Sequence, residues 1–528
     1  MKILDKKKRT ILILVLICSV QLIVSLLYAE QKSFLYPDEL FSYVSANRVD
    51  GVSTDFPANE WVDENWYLDY LTVQSEHRFE YSIPWNNQAT DVHPPLYYLF
   101  VHTTCSLIPE QFSFVAGIGF NIFFFLGSTI GLYFVGKELF KDSNFGLLLA
   151  FIFAFSYAGL NTMVFIRMYM LMTFILIWHV YVYLKYFEQD VESMKGYAGL
   201  AITLILGVLT QYYFLIIAFF FGVWYTVKFI VEKKYIKLKK YLITVVGSGI
   251  GCLAIYPTMI DHLLGTGRGK QARENFVSSE GYFSNLRTMW KILDSQLFTN
   301  LFVIVLLGLC AFLILYLKKG YKISKDGCIC ASAILFSCVG YFLVVTRVAP
   351  YRIDRYLMPI YPLIYLLVVG GIYVLIKRCI SERISIFLCA MGFFGLSAIH
   401  LIHSGVPYTY AIHEEVNRGM GIAEEYEDCY AIYVGEKQDI PEYFEIIQVL
   451  KEYKGFYNIN NFDCVEEVQN DMKKLLTEKN IVIYLNRETD GEEAFAFIKE
   501  IMPGVEIGEN NLIYSDEEWK EDVYLLSP

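Results

Sequence analysis

The sequence predicts an α-helical polytopic membrane protein of about eleven spans, followed by a small C-terminal α/β soluble domain. Three observations predict it. Of 528 residues, 55% are hydrophobic and only 19% charged, too apolar for a soluble chain of this length. Apolar stretches of about 18 residues or more, enough to cross a bilayer, recur from Ile11 to about His403. From Ser404 to Pro528 the chain turns polar and acidic and alternates strand-like with helix-like segments. The net charge of −11, with no cluster of Lys and Arg outside the apolar region, argues against a nucleic-acid partner.

The first element is the run Ile11 to Tyr28, directly preceded by Lys6, Lys7, Lys8 and Arg9. It is longer than the ~7–15 residues of a signal-peptide core, so it reads as a first span with the N-terminus cytoplasmic and Asp38 outside. Further spans are expected at 112–136, 144–164, 168–186, 197–210, 212–230, 241–260, 299–317, 327–346, 357–376 and 384–403. This arrangement puts 22 basic residues in the short cytoplasmic segments against twelve in the longer outer ones, as the positive-inside rule requires. The stretch His93 to Ile108 opens with Pro94-Pro95 and is short for a span, so it is expected to be an interfacial helix within an extracytoplasmic loop, 29–110. Residues 1–403 thus form a multi-span domain in the plasma membrane, and 404–528 an extracytoplasmic domain.

That second domain reads as strand 430–435, helix 441–453, strand 456–460, helix 464–478, strand 481–486, helix 491–501 and short strands near 511–514 and 522–526. The alternation predicts an α/β sandwich with a mainly parallel sheet. Gly435-Glu436-Lys437 lacks the pattern of a glycine-rich phosphate loop. Most of the eleven cysteines sit in apolar stretches as small hydrophobes; Cys328 and Cys330 lack zinc-site spacing, and Cys429 and Cys464 either pair or stay as buried thiols.

Five polar clusters fall at the outer ends of spans. Asp38-Glu39 offers a general base and its partner, or a solvated turn. Asp91-Val92-His93-Pro94-Pro95 joins an acid and an imidazole ahead of a helix start, suited to a metal, a phosphate or a cap. Arg167-Met168-Tyr169 puts a guanidinium between apolar stretches, where it must snorkel or meet an anion. Thr210-Gln211-Tyr212-Tyr213 is a polar joint between two half-length spans. Arg347 to Tyr356 concentrates three arginines against the charge rule, which phosphate binding would explain, with Asp354 neutralising one of them.

The acidic pair after the first span, the string DVHPPL at 91–96, Arg167 at a span start and the run RYLMPIYP at 355–362 resemble the GT-C glycosyltransferases, above all bacterial relatives of the protein O-mannosyltransferases and of the lipopolysaccharide-core and aminoarabinose transferases. The resemblance covers roughly residues 1–403. It implies an enzyme moving a sugar from a polyprenyl-phosphate donor to a cell-envelope acceptor, a glycan, lipid or protein, on the outer face of the membrane. Asp38 would be the catalytic base of an inverting displacement and Glu39 would orient it. Asp91, His93, Arg167, Arg352 and Arg355 would bind the donor phosphate, with a divalent metal ion at Asp91 and His93 left open and no other cofactor implied. Tyr169, Gln211, Tyr212 and Tyr356 are expected to line the substrate. Tyr97-Tyr98 stand where the eukaryotic mannosyltransferases carry a glycine and a lysine. A transporter or flippase that binds an anionic lipid or solute without chemistry is the alternative.

Overall fold

The computed structural model describes residues 2–52, 57–63, 65–188, 193–265, 267–278, 281–318, 325–435, 440–462, 465–473, 475, 480–516 and 520–526. In chain order its helices begin with α1 (Lys2–Glu30), α2 (Pro37–Asn47), α3 (Trp66–Leu71), α4 (Ser82–Thr90), α5 (Leu96–Cys105) and α6 (Phe114–Phe140). They continue with α7 (Ser143–Ala154), α8 (Tyr157–Val164), α9 (Tyr169–Val182), α10 (Met194–Thr210), α11 (Phe214–Val231), α12 (Tyr235–Ile255), α13 (Met259–Leu264) and α14 (Arg268–Val277). Then come α15 (Tyr282–Phe298), α16 (Phe302–Lys318), α17 (Lys325–Val348), α18 (Tyr361–Lys377), α19 (Glu382–Ser404), α20 (Glu414–Glu425), α21 (Ile440–Leu450), α22 (Val465–Met472) and α23 (Gly491–Ile501). Six strands complete the chain: β1 (Glu60–Val62), β2 (Tyr430–Val434), β3 (Gly455–Ile459), β4 (Ile481–Asn486), β5 (Leu512–Ser515) and β6 (Glu521–Leu526).

Two compact units result. The first comprises residues 1–30, 88–100 and 114–406, and the second 31–87, 101–113 and 407–528. Residues 31–87 and 101–113, expected as a loop of the membrane domain, are therefore grouped with the C-terminal segment.

In the first unit, and among the described residues, eight helices are long and apolar enough to cross a membrane: α1, α6, α9 with its π-helical continuation to Phe187, α11, α12, α17, α18 with the turn before it, and α19. Two bent pairs, α7 with α8 at 55° and α15 with the start of α16 at 71°, raise the number to ten if each is one span. The expected count of about eleven is not confirmed; the segment 194–210 forms a shorter apolar helix of 17 residues. α1 keeps Leu12, Leu16 and Ile23 exposed, as lipid-facing side chains are. α6 and α7 lie close enough that a Cβ on Gly146 would sit 2.4 Å from the Tyr133 carbonyl oxygen, so only glycine fits there.

In the second unit a six-stranded sheet has the order β1-β3-β2-β4-β6-β5. β2 pairs in parallel with β3 and β4, while β1, β5 and β6 join antiparallel. The mainly parallel sheet expected from the alternation is thus a mixed one. The connection from β5 to β6 is too short for a crossover, and β1 arrives from residues 60–62, far from the tail in sequence. Alternate residues Ile432, Val434, Ile481, Ile483 and Leu485 pack on one face with Val468, Met472, Phe497 and Ile501 of α22 and α23, the period-2 pattern of a buried face. Gln448 of α21 holds the extended segment before α2 through reciprocal 2.9 Å bonds to the Leu35 N–H and carbonyl. Cys464 and Glu436-Lys437 lie outside the described residues.

Candidate functional site

Arg167 sits in an irregular stretch because α8 stops at Val164. Asn121 on α6 donates from its amide to the carbonyls of Met163 at 3.1 Å and Phe165 at 2.7 Å, so the groups freed by the helix end are satisfied where no water would serve them. α9 restarts at Tyr169. The guanidinium that follows is only 4% exposed, and its Nη1 donates to the Tyr98 hydroxyl at 3.2 Å. Tyr98 is fully buried in the first turn of α5, a turn whose start is fixed by Pro94-Pro95. Burial pushes the Tyr98 phenol well above its ordinary value, against the pull of Arg167, so it stays protonated.

Just before those prolines the His93 Nδ1 and the Asp91 Oδ2 lie 2.8 Å apart. Burial alone would raise the Asp91 carboxyl, but His93, its hydrogen bond and the charge of Arg167 together hold it below the ordinary aspartate value. Its side chain is 41% exposed, so the pair faces the surroundings with a carboxylate stabilised as the anion. Tyr212, at the joint between α10 and α11, bonds its hydroxyl to His262 Nδ1 at 2.8 Å, and the other ring nitrogen of His262 lies 3.4 Å from the Ala89 carbonyl. Burial pulls the His262 imidazole below its ordinary value, while Asp91 acts on it in the opposite sense. Gln211 is buried at the same joint.

A second cluster gathers around Tyr356. Tyr169 meets its ring edge-on at 6.4 Å and Tyr213 at 5.4 Å. The Arg355 guanidinium lies 5.2 Å from that ring and donates to the Tyr356 hydroxyl at 3.4 Å. Arg352 donates from Nη1 to the Ala349 carbonyl, and its buried Nε has no hydrogen-bond partner. Burial and Tyr356 raise the Tyr213 phenol, while Arg268 and Arg352 both draw it down, which puts two guanidinium charges near one hydroxyl. Arg347, by contrast, spends its fork on the carbonyls of Phe276, Val277 and Ser278, closing the end of α14. Asp354 Oδ2 accepts from the Asn161 amide at 3.1 Å.

The first unit therefore holds Asp91, His93, Arg167, Arg352, Arg355, Tyr169, Gln211, Tyr212 and Tyr356; Tyr98 meets Arg167, Tyr213 meets Tyr356 and His262 meets Tyr212. Asp38 and Glu39 belong to the second unit. There Pro37 starts α2, Asp38 is half-buried in its first turn, and the Glu39 carboxylate accepts from the Tyr36 N–H at 2.8 Å as part of a capping box. Glu39 also pairs with Lys32 at 2.9 Å, both side chains fully buried. Burial pulls the Lys32 amine below its ordinary value and Glu39 pushes back.

Asp91 and His93 supply two donors already bonded to one another, and among the described residues no third His, Cys, Asp or Glu joins them. These residues do not by themselves make the three- or four-ligand set of a divalent cation site, and no step below runs through one. The sequence reading passed over Tyr98, Tyr213, His262 and Arg268 as site members. The Tyr97-Tyr98 pair was legible as a departure from the mannosyltransferase motif, whereas His262 and Arg268 fall between the spans expected at 241–260 and 299–317, where the sequence has no readable pattern.

No protein-family model and no curated protein matches the sequence. Among solved structures the chain is similar to ArnT from Cupriavidus metallidurans bound to undecaprenyl phosphate, at 11% identity and a TM-score of 0.47 over 97% of both chains. It is also similar to the archaeal oligosaccharyltransferase AglB from Archaeoglobus fulgidus in complex with an inhibitory peptide and a dolichol-phosphate, at 12% identity and a TM-score of 0.45 over 94% of this chain and 71% of that one.

Proposed function

We propose that this protein is a membrane glycosyltransferase that takes a sugar from a polyprenyl-phosphate donor and passes it to a cell-envelope acceptor on the outer face of the membrane. The observation that carries the reading is the buried Arg167 fork, braced by Tyr98 next to the Asp91–His93 pair, with the Arg352 Nε unspent nearby in the same unit. Guanidinium forks suit a phosphate, and charge held in place before reaction stabilises a leaving group as its charge develops. Asp38 takes the proton of an acceptor hydroxyl, and that oxygen attacks the anomeric carbon. The bond from that carbon to the phosphate oxygen breaks, its electron pair leaving with polyprenyl phosphate beside Arg167, Arg352 and Arg355. A single displacement inverts the anomeric centre. Glu39, buried against Lys32, fixes the first turn that carries Asp38.

The test is release of polyprenyl phosphate from a panel of polyprenyl-phosphate sugars by purified protein in lipid, with Asp38→Asn alongside. Release from one donor, lost in the variant, is expected. Near-normal release by Asp38→Asn would remove that residue as the base. No release from any donor, with envelope acceptors supplied, would favour the transporter reading, which draws support from the two bent helix pairs.

A further inference from the structure

A third polar cluster in the first unit takes no part in the chemistry above. Asn161, on α8 between the α7/α8 bend and Arg167, is fully buried. Its amide nitrogen donates to Asp354 Oδ2 at 3.1 Å and lies 3.4 Å from Gln296 Oε1, while its Oδ1 is buried with no partner. Gln296 lies in the last turn of α15, next to the second bend, and Asp354 opens the short 3-10 turn before Tyr356. Both are only partly buried, whereas the Asn161 side chain they meet is fully buried. Tyr157, which bonds toward Gln296, stacks flat on His400 at 3.6 Å, and the Tyr361 hydroxyl donates to the Asp354 carbonyl at 3.4 Å.

Three features of this cluster point one way. Its unfilled atom is an acceptor, and an unpaired buried acceptor costs about 1–3 kcal/mol unless something donates to it. The Asp354 carboxylate and the Gln296 carbonyl oxygen are acceptors as well. Tyr157, stacked on the buried His400, is the aromatic neighbour of this set. A group that brings hydrogen-bond donors and no negative charge satisfies this set; a carboxylate or phosphate does not. The Asp354 step in the chain leads directly to Arg355 and Tyr356, the side proposed for the donor phosphate.

We propose that Asn161, Asp354 and Gln296 form the recognition subsite for the sugar of the lipid-linked donor, selecting neutral or ammonium-bearing sugars and rejecting sugars that carry a carboxylate. This rests on the glycosyl-transfer reading for the identity of the ligand, and the experiment separates the two. Binding to the full-length protein in nanodiscs is measured for bare polyprenyl phosphate and for polyprenyl phosphates carrying a neutral hexose, an amino sugar or a uronic acid. Wild type is compared with Asp354→Asn, which keeps an acceptor for Asn161, and with Gln296→Ala; release of polyprenyl phosphate is followed in parallel. Wild type is expected to bind a neutral or amino-sugar lipid about tenfold or more tightly than the uronic one, and both variants to lose that preference with bare polyprenyl phosphate unaffected. Equal loss of affinity for bare and sugar-bearing lipid, or a sugar preference untouched in both variants, overturns the subsite. If wild type releases no polyprenyl phosphate, the transfer reading fails, and the subsite still stands or falls on whether the sugar preference in binding exists and disappears in the variants.

Discussion

Tyr98→Phe removes one hydroxyl and little else, which makes it the sharpest probe of the Arg167 arrangement. Tyr98 is wholly buried and Arg167 is 4% exposed, so solvent does not replace the lost acceptor. A hydrogen bond to a charged group contributes about 1.5–3 kcal/mol, and the 3.2 Å separation lies at the long end of the N–H···O range. The lower part of that interval applies, about 1.5–2 kcal/mol. If Arg167 holds the leaving phosphate, a loosened fork loses that amount in the transition state, and kcat/KM falls about 13- to 30-fold at 1.36 kcal/mol per decade. The assay is steady-state release of polyprenyl phosphate with kcat and KM resolved, beside thermal unfolding in detergent. The expected pattern is a fall in kcat/KM with a melting temperature lowered by only about 1–4 °C. A lowered melting temperature with unchanged kcat/KM would refute the reasoning, since Tyr98 would then serve packing alone.

Three further outcomes are expected. Asp91 is held below its ordinary value, so its stabilisation is present above about pH 4 and is lost as pH falls through the depressed value; melting temperature against pH should decline less steeply on the acid side in Asp91→Asn, and superimposable curves would contradict this. Lys32→Met strands the Glu39 carboxylate in a fully buried site and should destabilise the protein by about 3–5 kcal/mol, with Lys32→Met/Glu39→Gln recovering part of the loss in chemical unfolding; a double variant no more stable than the single would count against the pair. Gly146→Ala drives a Cβ into the Tyr133 carbonyl at 2.4 Å, whereas Gly392→Ala meets nothing within 4 Å, so the first should lower stability by about 1–3 kcal/mol and the second should not.

The sequence made the helices of the first unit legible because lipid-spanning segments must be long and apolar. It made β2, α21, β3, α22, β4, α23, β5 and β6 legible because a sheet with buried faces writes its pattern at period 2. Two things escaped it. The bend at Phe155-Ser156 falls inside the apolar stretch 144–164, so a window that counts apolar residues reads straight through it. Strand β1 is Glu-Trp-Val at an edge, three residues with no periodicity to detect. The candidate site residues stand out in the sequence where charges interrupt apolar runs, as at Arg167 and Asp91-Val92-His93. They do not stand out where a single neutral amide does so, since Asn121 and Asn161 carry no charge to flag them and owe their meaning to partners some 40 to 190 residues away.

Those two amides also explain why irregular backbone and the candidate site residues coincide in this protein. A helix that breaks inside a membrane exposes carbonyls and N–H groups that lipid cannot satisfy, and some side chain must take them. Here Ser156 receives the Gly159 N–H at 3.0 Å at the start of α8, and Asn121 takes the carbonyls at its end. Between the two caps α8 is only eight residues long, just over two turns. That short, clamped helix carries Asn161 and leads straight into Arg167. A continuous helix through 143–187 would satisfy its backbone without Ser156 or Asn121, but it would carry the guanidinium on a regular helical face instead of in the gap where Tyr98 meets it. The break is therefore the device that points Arg167 at Tyr98, and the polar residues that stabilise the break position the charge the proposed chemistry needs.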